Sequence, residues 1–394
     1  MVATQAATDA GIRGVGVPPR YHIQCIALTN NMKKHSILRW FCLVSILCVC
    51  LPSFCQQSPV RRKLIIDQDA AGPGGTDQQS MLLLIQSPQT QVFGITVVTG
   101  DGWLKEEVAH TLRMLEIIGR TDIPVVPGAE YPLVRRKDET ELWEQQYGAV
   151  AWLGAWTPRV YHPADQLGEM PEGKPTTKPS EEDAAHFLVR MVRQYPHEIT
   201  IYAGGPMTNL ALAIAIDPDF ASLAKELVLM GGSLNPITDD PEFVNAPRRE
   251  FNLWFDPEAA HAVFMAPWKK IVCTTVDISV KTRLTQDLID RVKSAKSPAA
   301  HYIGTYSHLR GQYNYLWDEL AAIAWLDPSL ITARDNRYLD VDLNHGAAYG
   351  DTLSWSENDK PKIVGPPVEI QVDLNTQKFY QEFVDLLSAA TPKP

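Results

Sequence analysis

From residue 63 onward, short apolar runs alternate with stretches of helical periodicity, and this alternation restricts the fold more than any other feature. Residues 64–66, 92–99, 123–126, 198–203, 227–230 and 270–276 read as strands. Between them, residues 106–118 place Val108, Leu112, Leu115 and Ile118 on one stripe, and Gly119 stops that helix. Helices are also expected at 179–195, 208–216 and 257–265. The first of these would start from a capping box formed by Ser180 and Asp183. A last strand at 368–374 and a helix at 376–389 would close the domain. The pattern predicts an α/β fold: an open, mostly parallel, twisted sheet with helices on both faces. In such sheets ligands gather at the carboxyl ends of the strands.

Several strand ends carry residues suited to a ligand. The first strand runs into Asp67-Gln-Asp69, a turn rich in glycine at 70–75, and then Asp77 at a helix start. Residues i and i+2 of a strand share a face, so Asp67 and Asp69 are expected to point the same way. Carboxylates gathered in this manner suit a hard cation such as Ca²⁺ or Mg²⁺. The alternative is a polar turn whose aspartates cap the helix. Further along, Thr99-Gly100-Asp101, Gly204-Gly205-Pro206 and Gly231-Gly232 also follow strands. A phosphate loop is excluded, since no Gly-Lys-Ser/Thr follows the glycines.

Two stretches interrupt the alternation. Residues 127–179 show no long periodic element, but hold Trp143, Tyr147, Trp152, Trp156 and Tyr161, with prolines at 158, 163, 171, 175 and 179. So long a loop in a compact domain reads as a lid or binding loop, its aromatics either stacking on a flat ligand or packing the loop to the body. Residues 233–249 are polar and lead into Glu250-Phe251-Asn252.

The N-terminal region carries a different signal. Met32-Lys33-Lys34-His35 and the apolar run Trp40 to Leu51 resemble a secretory signal, with small residues at Ser53 to Cys55 for cleavage. The run, about a dozen residues, is short for a membrane span. The expected organisation is an upstream extension at 1–31, a signal peptide at 32–55 and one domain at 56–394. The mature protein would be exported, periplasmic or extracellular, with no membrane contact after cleavage; the alternative is an uncleaved membrane anchor. Five of the six cysteines precede residue 56, so the mature chain keeps only Cys273 and cannot form an internal disulfide. Of 36 basic and 46 acidic residues, five and one fall in that segment, which leaves 31 against 45, a net of −14. Such a surface disfavours nucleic acid as a partner.

Taken together, the segments resemble the inosine-uridine-preferring type of nucleoside hydrolase. Asp67-Gln-Asp69 with Asp77 is similar to the opening aspartate motif of that family. Gly94 to Gly100, Gly119 to Val125 and Pro127-Gly128-Ala129 match the segments after it, followed by Gly205-Pro-Met-Thr-Asn209 and Leu229-Met-Gly-Gly232. Glu250-Phe-Asn252, Asp256 to Ala260 and Trp317-Asp318 complete the set. The resemblance implies a Ca²⁺ held by Asp69, Asp77, Asp318 and the carbonyl of Gly204. It implies hydrolysis of an N-ribosidic bond by a Ca²⁺-bound water, with Asp69 as general base and Asp67 as its supporting carboxylate. Glu250 and Asn252 match ligands of the ribose hydroxyls; Met230, Asp101 and, with looser alignment, Asn245 match other positions of the sugar site. The substrate would be a small nucleoside, and a homodimer or homotetramer is the assembly to test.

This chain also departs from the family pattern. The turn is three residues longer, and Thr76 stands where a ribose-contacting aspartate is usual. Asp101 replaces a usual asparagine. Trp317 occupies a position that is often histidine, which resembles the purine-specific branch where two indoles sandwich the base; Trp143, Trp152 or Trp156 would give the second ring. The altered turn keeps two other readings open: a hydrolase of another ribosyl or glycosyl compound, and a Ca²⁺-dependent binding protein without turnover.

Overall fold

The computed structural model describes residues 61–158 and 161–393. The expected upstream stretch at 1–31 and signal segment at 32–55 lie outside the described residues. Among the described residues there are eleven strands: β1 (Arg62–Gln68), β2 (Thr90–Val97), β3 (Val125–Pro127), β4 (Thr200–Ala203), β5 (Glu226–Met230), β6 (Ile271–Thr274), β7 (Arg283–Leu284), β8 (Asn314–Tyr315), β9 (Ile331–Val341), β10 (Thr352–Trp355) and β11 (Val368–Leu374). Nine build one sheet in the order β10-β9-β11-β6-β5-β4-β1-β2-β3, and β7 pairs β8 in a separate ribbon. All neighbours from β11 through β6 to β3 are parallel. The departure is β9, antiparallel to both β11 and β10.

The strand period explains how one sheet carries two cores. Leu64 and Ile66 of β1 join a core with Met81, Leu112, Leu320 and Phe383. Ile65, between them, faces the other way and joins Leu188, Leu210 and Val263. Burying each such side chain is worth roughly 1.5–3 kcal/mol. With both faces covered, β1 can be a continuous apolar run rather than an alternating one. The helix Thr76–Gln86 that follows is buried from Asp77 to Gln86, enclosed by β2 and the helix Trp317–Leu326. Its buried polar residues are hydrogen-bonded: Gln78 accepts from the Gly74 N–H, Gln79 donates to the Gly74 carbonyl and Ser80 to the Asp77 carbonyl.

Several expectations need correction. The stretch 127–179 contains the helix Lys137–Tyr147 and a 3-10 turn at Gly154–Trp156. Only Thr140 of that helix is buried, so it has no apolar stripe to reveal it in the sequence. The helix expected at 179–195 is Ala184–Gln194, and its cap is Asp183, whose side chain accepts from the His186 N–H at 3.1 Å. Ser180 instead accepts from the Glu182 N–H. Beyond residue 276 the chain forms helices at Gln286–Lys293, Pro298–Tyr306 and Trp317–Leu326, and then the strands β9 and β10, none of which the periodicity had marked. The elements Thr208–Ile216, Pro257–Met265 and β11 lie where expected.

The two capping assignments predict different stability losses. Asp183→Ala should lower unfolding free energy by about 1 kcal/mol, and Ser180→Ala by much less. Urea denaturation of both variants measures this; equal losses would restore the capping box.

Candidate active site

Parallel register places the ends of distant segments side by side. Asp67 is level with Thr96 of β2 and Ala203 of β4, and Ala203 is level with Leu229 of β5. The chain leaving each strand therefore opens into one cleft of about 1190 Å³. Its lining includes Asp69, Thr76, Asp77, Asp101, Gly204, Met230, Glu250, Asn252, Trp317 and Asp318. Ten of the expected site residues thus meet at one place.

At the floor, Asp69, Asp77 and Asp318 are almost fully buried, at 2%, 4% and 2% exposure. Burial raises all three above the usual carboxylate range; nearby carboxylates add to it, those of the cluster and Asp101 for Asp69 and Asp77, and those of Asp101 and Glu250 for Asp318. Asp318 is pushed up to about 7. The charges acting on Asp69 are those of Asp101, Glu107 and Asp318, all of one sign. Few donors answer them. The Asp101 N–H donates to Asp69 at 3.0 Å, and the Gln68 amide to Asp318 at 2.7 Å. Asp77 and Asp318 each open a helix, so two positive helix ends lower part of the repulsion.

Uncompensated buried carboxylates of this kind fit a hard divalent cation, whose preferred ligands are oxygens. Among the described residues no three acidic, His or Cys side chains close on one point as a finished cage. The site is open, and a main-chain carbonyl is at hand: Gly204 lines the same floor. Glycine is required there, because a Cβ would collide with the Gln68 amide.

Asp67 does not share the face of Asp69. It is fully buried, off the cleft wall, and accepts from Thr96 Oγ1 at 2.5 Å and Asn209 Nδ2 at 2.8 Å. β1 ends at Gln68, so the strand period no longer governs Asp69. Burial pushes Asp67 up to about 6. Asn209 also accepts from the Ala129 N–H, joining three segments of the expected motif set.

Glu250 and Asn252 line the cleft but also build it. The Glu250 carboxylate caps a short helix by accepting from the N–H of Asn252 and Leu253, and it holds the Gly232 N–H at 2.9 Å. Asn252 Nδ2 donates to the carbonyls of Gly204 and Met230. Asn245 is a correction: it is exposed at the end of the helix Pro241–Asn245 and lies off the cleft. Phe243, the buried residue of that helix, reaches the wall instead.

The aromatic side of the cleft is formed by Trp317, with Tyr315 at 4.8 Å and Phe243 at 5.7 Å between ring centres. Of the three loop tryptophans only Trp152 joins it. Its indole N–H donates to Asp101, and Arg310 covers its ring at 4.5 Å. Trp156 is buried against Phe255, and Trp143 donates to the Gly346 carbonyl; both fasten the loop to the body. Sequence reasoning missed Gln68, Phe243, Tyr315 and Glu319. Gln68 sits between two noted aspartates and Glu319 directly follows one, so adjacency was the available signal.

Comparison with known proteins adds to this geometry. A family profile described as inosine-uridine preferring nucleoside hydrolase matches residues 64–381. The chain is 33% identical to uridine nucleosidase 1 of Arabidopsis thaliana, covering 68% of this chain and 75% of that one. It is 26% identical to the inosine-uridine preferring nucleoside hydrolase of Crithidia fasciculata, covering 83% and 97%. The solved structure of a plant nucleoside hydrolase superposes with a TM-score of 0.67 at 26% identity, covering 83% of this chain and 99% of the other.

The buried acids predict a pH effect on stability. A carboxyl raised in the folded state stabilises most below its unfolded value near pH 4, and that contribution is lost as pH rises through the folded value. With Asp67 at about 6 and Asp318 at about 7, the chelated protein should lose thermal stability from about pH 4 to 7. A divalent cation should restore it most at the upper end. A melting temperature that rises with pH in chelator, or ignores the cation, would contradict this account.

Proposed function

The chain belongs to the inosine-uridine preferring nucleoside hydrolase family and is a hydrolase of N-glycosidic bonds, and we propose that it releases free base from ribonucleosides, purine ribonucleosides preferred. The observation that carries this reading is the pairing of a floor of uncompensated buried carboxylates with an aromatic wall in one cleft.

Cleaving the bond develops oxocarbenium character on the sugar. The floor is negative and favours that charge. When bound, Ca²⁺ supplies the positioning and acidification of the attacking water. Asp69, Asp77, Asp318 and the Gly204 carbonyl are the residues that would hold it. Asp69, at the centre of the cluster, takes the water proton as general base. Asp67 acts from behind the wall, where Thr96 and Asn209 fix it, as a positioning residue. Glu250, Asn252 and Asp101 face the sugar, with Met230 beneath it. The leaving base lies against Trp317, with Trp152 on the opposing loop. Indole faces give larger stacking area to a two-ring base, which is the ground for purine preference. The relatives named above include a uridine nucleosidase, so the preference is this chain's own question.

We also propose that residues 32–55 direct export; N-terminal sequencing of the secreted protein should find a start near Gln56, and an intact N-terminus would refute it.

Base release from a nucleoside panel tests the main reading. Purine release should require added Ca²⁺ and fall by about 10²–10⁴-fold in Asp69→Ala. Trp317→Ala should lower kcat/KM for purines by about tenfold, and less for uridine. Faster release of uridine than of inosine by the unaltered protein would remove the purine preference. Full activity in Asp69→Ala would remove the mechanism.

A further inference from the structure

Glu242 has no task in the reading above. It belongs to the single helical turn Pro241–Asn245 and lines the cleft beside Phe243, whose ring meets that of Trp317. Thr238 and Asp240, just before it, lie against Tyr315. The segment therefore runs along the aromatic side of the cleft. From the other side the charges of Glu250 and Asp101 reach Glu242. It stands between the wall assigned to the base and the residues assigned to the sugar.

The other acids of the cleft are committed. Asp69, Asp77 and Asp318 would hold the cation. Asp101 accepts from the Trp152 indole, Glu250 from three main-chain N–H groups, Glu319 from Thr76 Oγ1 at 2.6 Å, and Asp240 from the Glu242 N–H. Glu242 is exposed to the cleft, and among the described residues no group hydrogen-bonds its carboxylate oxygens. Water reaches it, but it stands in a concavity where protein displaces much of its solvent shell. That desolvation, with the charges of Asp240, Glu250 and Asp101, outweighs Arg249 and pushes it up to about 7. A carboxyl of this kind holds a proton at neutral pH and can still release it, which acid catalysis requires. Trp317 and Phe243 offer the base a stacking surface but no acid.

We propose that Glu242 is the catalytic acid, whose carboxyl proton passes to a ring nitrogen of the departing base. As the bond from C1′ to the base breaks, its electron pair goes to the base, which takes the Glu242 proton and leaves neutral. The water oxygen bonds to C1′, and the water proton passes to Asp69. Glu242, left as a carboxylate, regains a proton from cleft water, to which Asp69 returns its own. The inference rests on the nucleoside reading and deepens it, because it gives the leaving group a proton as well as a stacking surface.

The test compares inosine with 4-nitrophenyl β-D-ribofuranoside, whose phenolate leaves without a proton. In the unaltered protein kcat/KM for inosine should fall above about pH 7, because the acid acts only while protonated. Glu242→Gln should lower kcat/KM for inosine by about 10²-fold, remove that alkaline limb and leave the nitrophenyl riboside nearly unchanged. His308→Gln, on the same cleft, should alter neither substrate. Equal loss on both substrates in Glu242→Gln would mean a role in folding or in holding the sugar, and would overturn the acid. So would an inosine rate that Glu242→Gln does not lower, or an alkaline limb that vanishes in His308→Gln instead. Cleavage of the nitrophenyl riboside but of no nucleoside would keep the glycosidic chemistry and overturn the acid alone. If the unaltered protein cleaves neither, the proposed function fails, and the acid with it.

Discussion

The structure turns on how many carboxylates can be buried at one end of a sheet. Each needs an answer, and the answers differ in completeness. Asp67 receives a hydroxyl and an amide. Asp256 receives Thr208 Oγ1 and the N–H of Leu133 and Ala259. Glu250 receives three main-chain N–H groups. These acids are mortar: they join loops and helix starts to the strand ends. Asp69, Asp77 and Asp318 are answered least and repel one another most. That gradient of satisfaction, from outer acids to inner ones, separates the scaffold from the chemistry.

Much of this was legible in the sequence, for a physical reason. A parallel strand buried on both faces must hold a short apolar run, and β1, β4, β5 and β6 do. The residues after such strands face the cleft, which is how Asp69, Asp101 and Gly204 could be marked from one dimension, whereas Met230, the last residue of β5, came from the family resemblance. What stayed hidden lacked periodicity. The helix Lys137–Tyr147 lies almost wholly on the surface, and the helix Trp317–Leu326 is buried nearly all round, so neither shows a stripe. Asn245 was misplaced because the segment is a single helical turn, Pro241–Asn245, which directs Phe243 inward and leaves Asn245 exposed. The partnership of Thr76 with Glu319 spans 243 positions, and no local pattern reports a contact of that range.

The long loop shows how one residue type serves two ends. Trp143 and Trp156 bind the loop down on either side of Trp152, and only the middle indole reaches the cleft. A second tie joins the loop to the helix Leu104–Ile118, where the buried Glu172 meets His110. Burial alone would lower that imidazole, but the carboxylates of Glu106 and Glu172 overcome it and hold it at about 9. The wall that faces the ligand is therefore anchored by a charged pair as well as by ring packing.

The sheet ends in β3 on one side and β10 on the other, of three and four residues. Strands this short present few free main-chain groups to another chain, and the longer stretch Ile331–Arg337 of β9, paired with β11 alone, carries Arg334, Asp335 and Arg337, charges that oppose pairing with a further strand. Growth of the sheet from one copy into the next is thus a poor route to either an ordered assembly or a fibre. Copies of this protein that associate must do so through side-chain surfaces on helices and loops, which a sequence can alter without disturbing the strand ends where the chemistry sits.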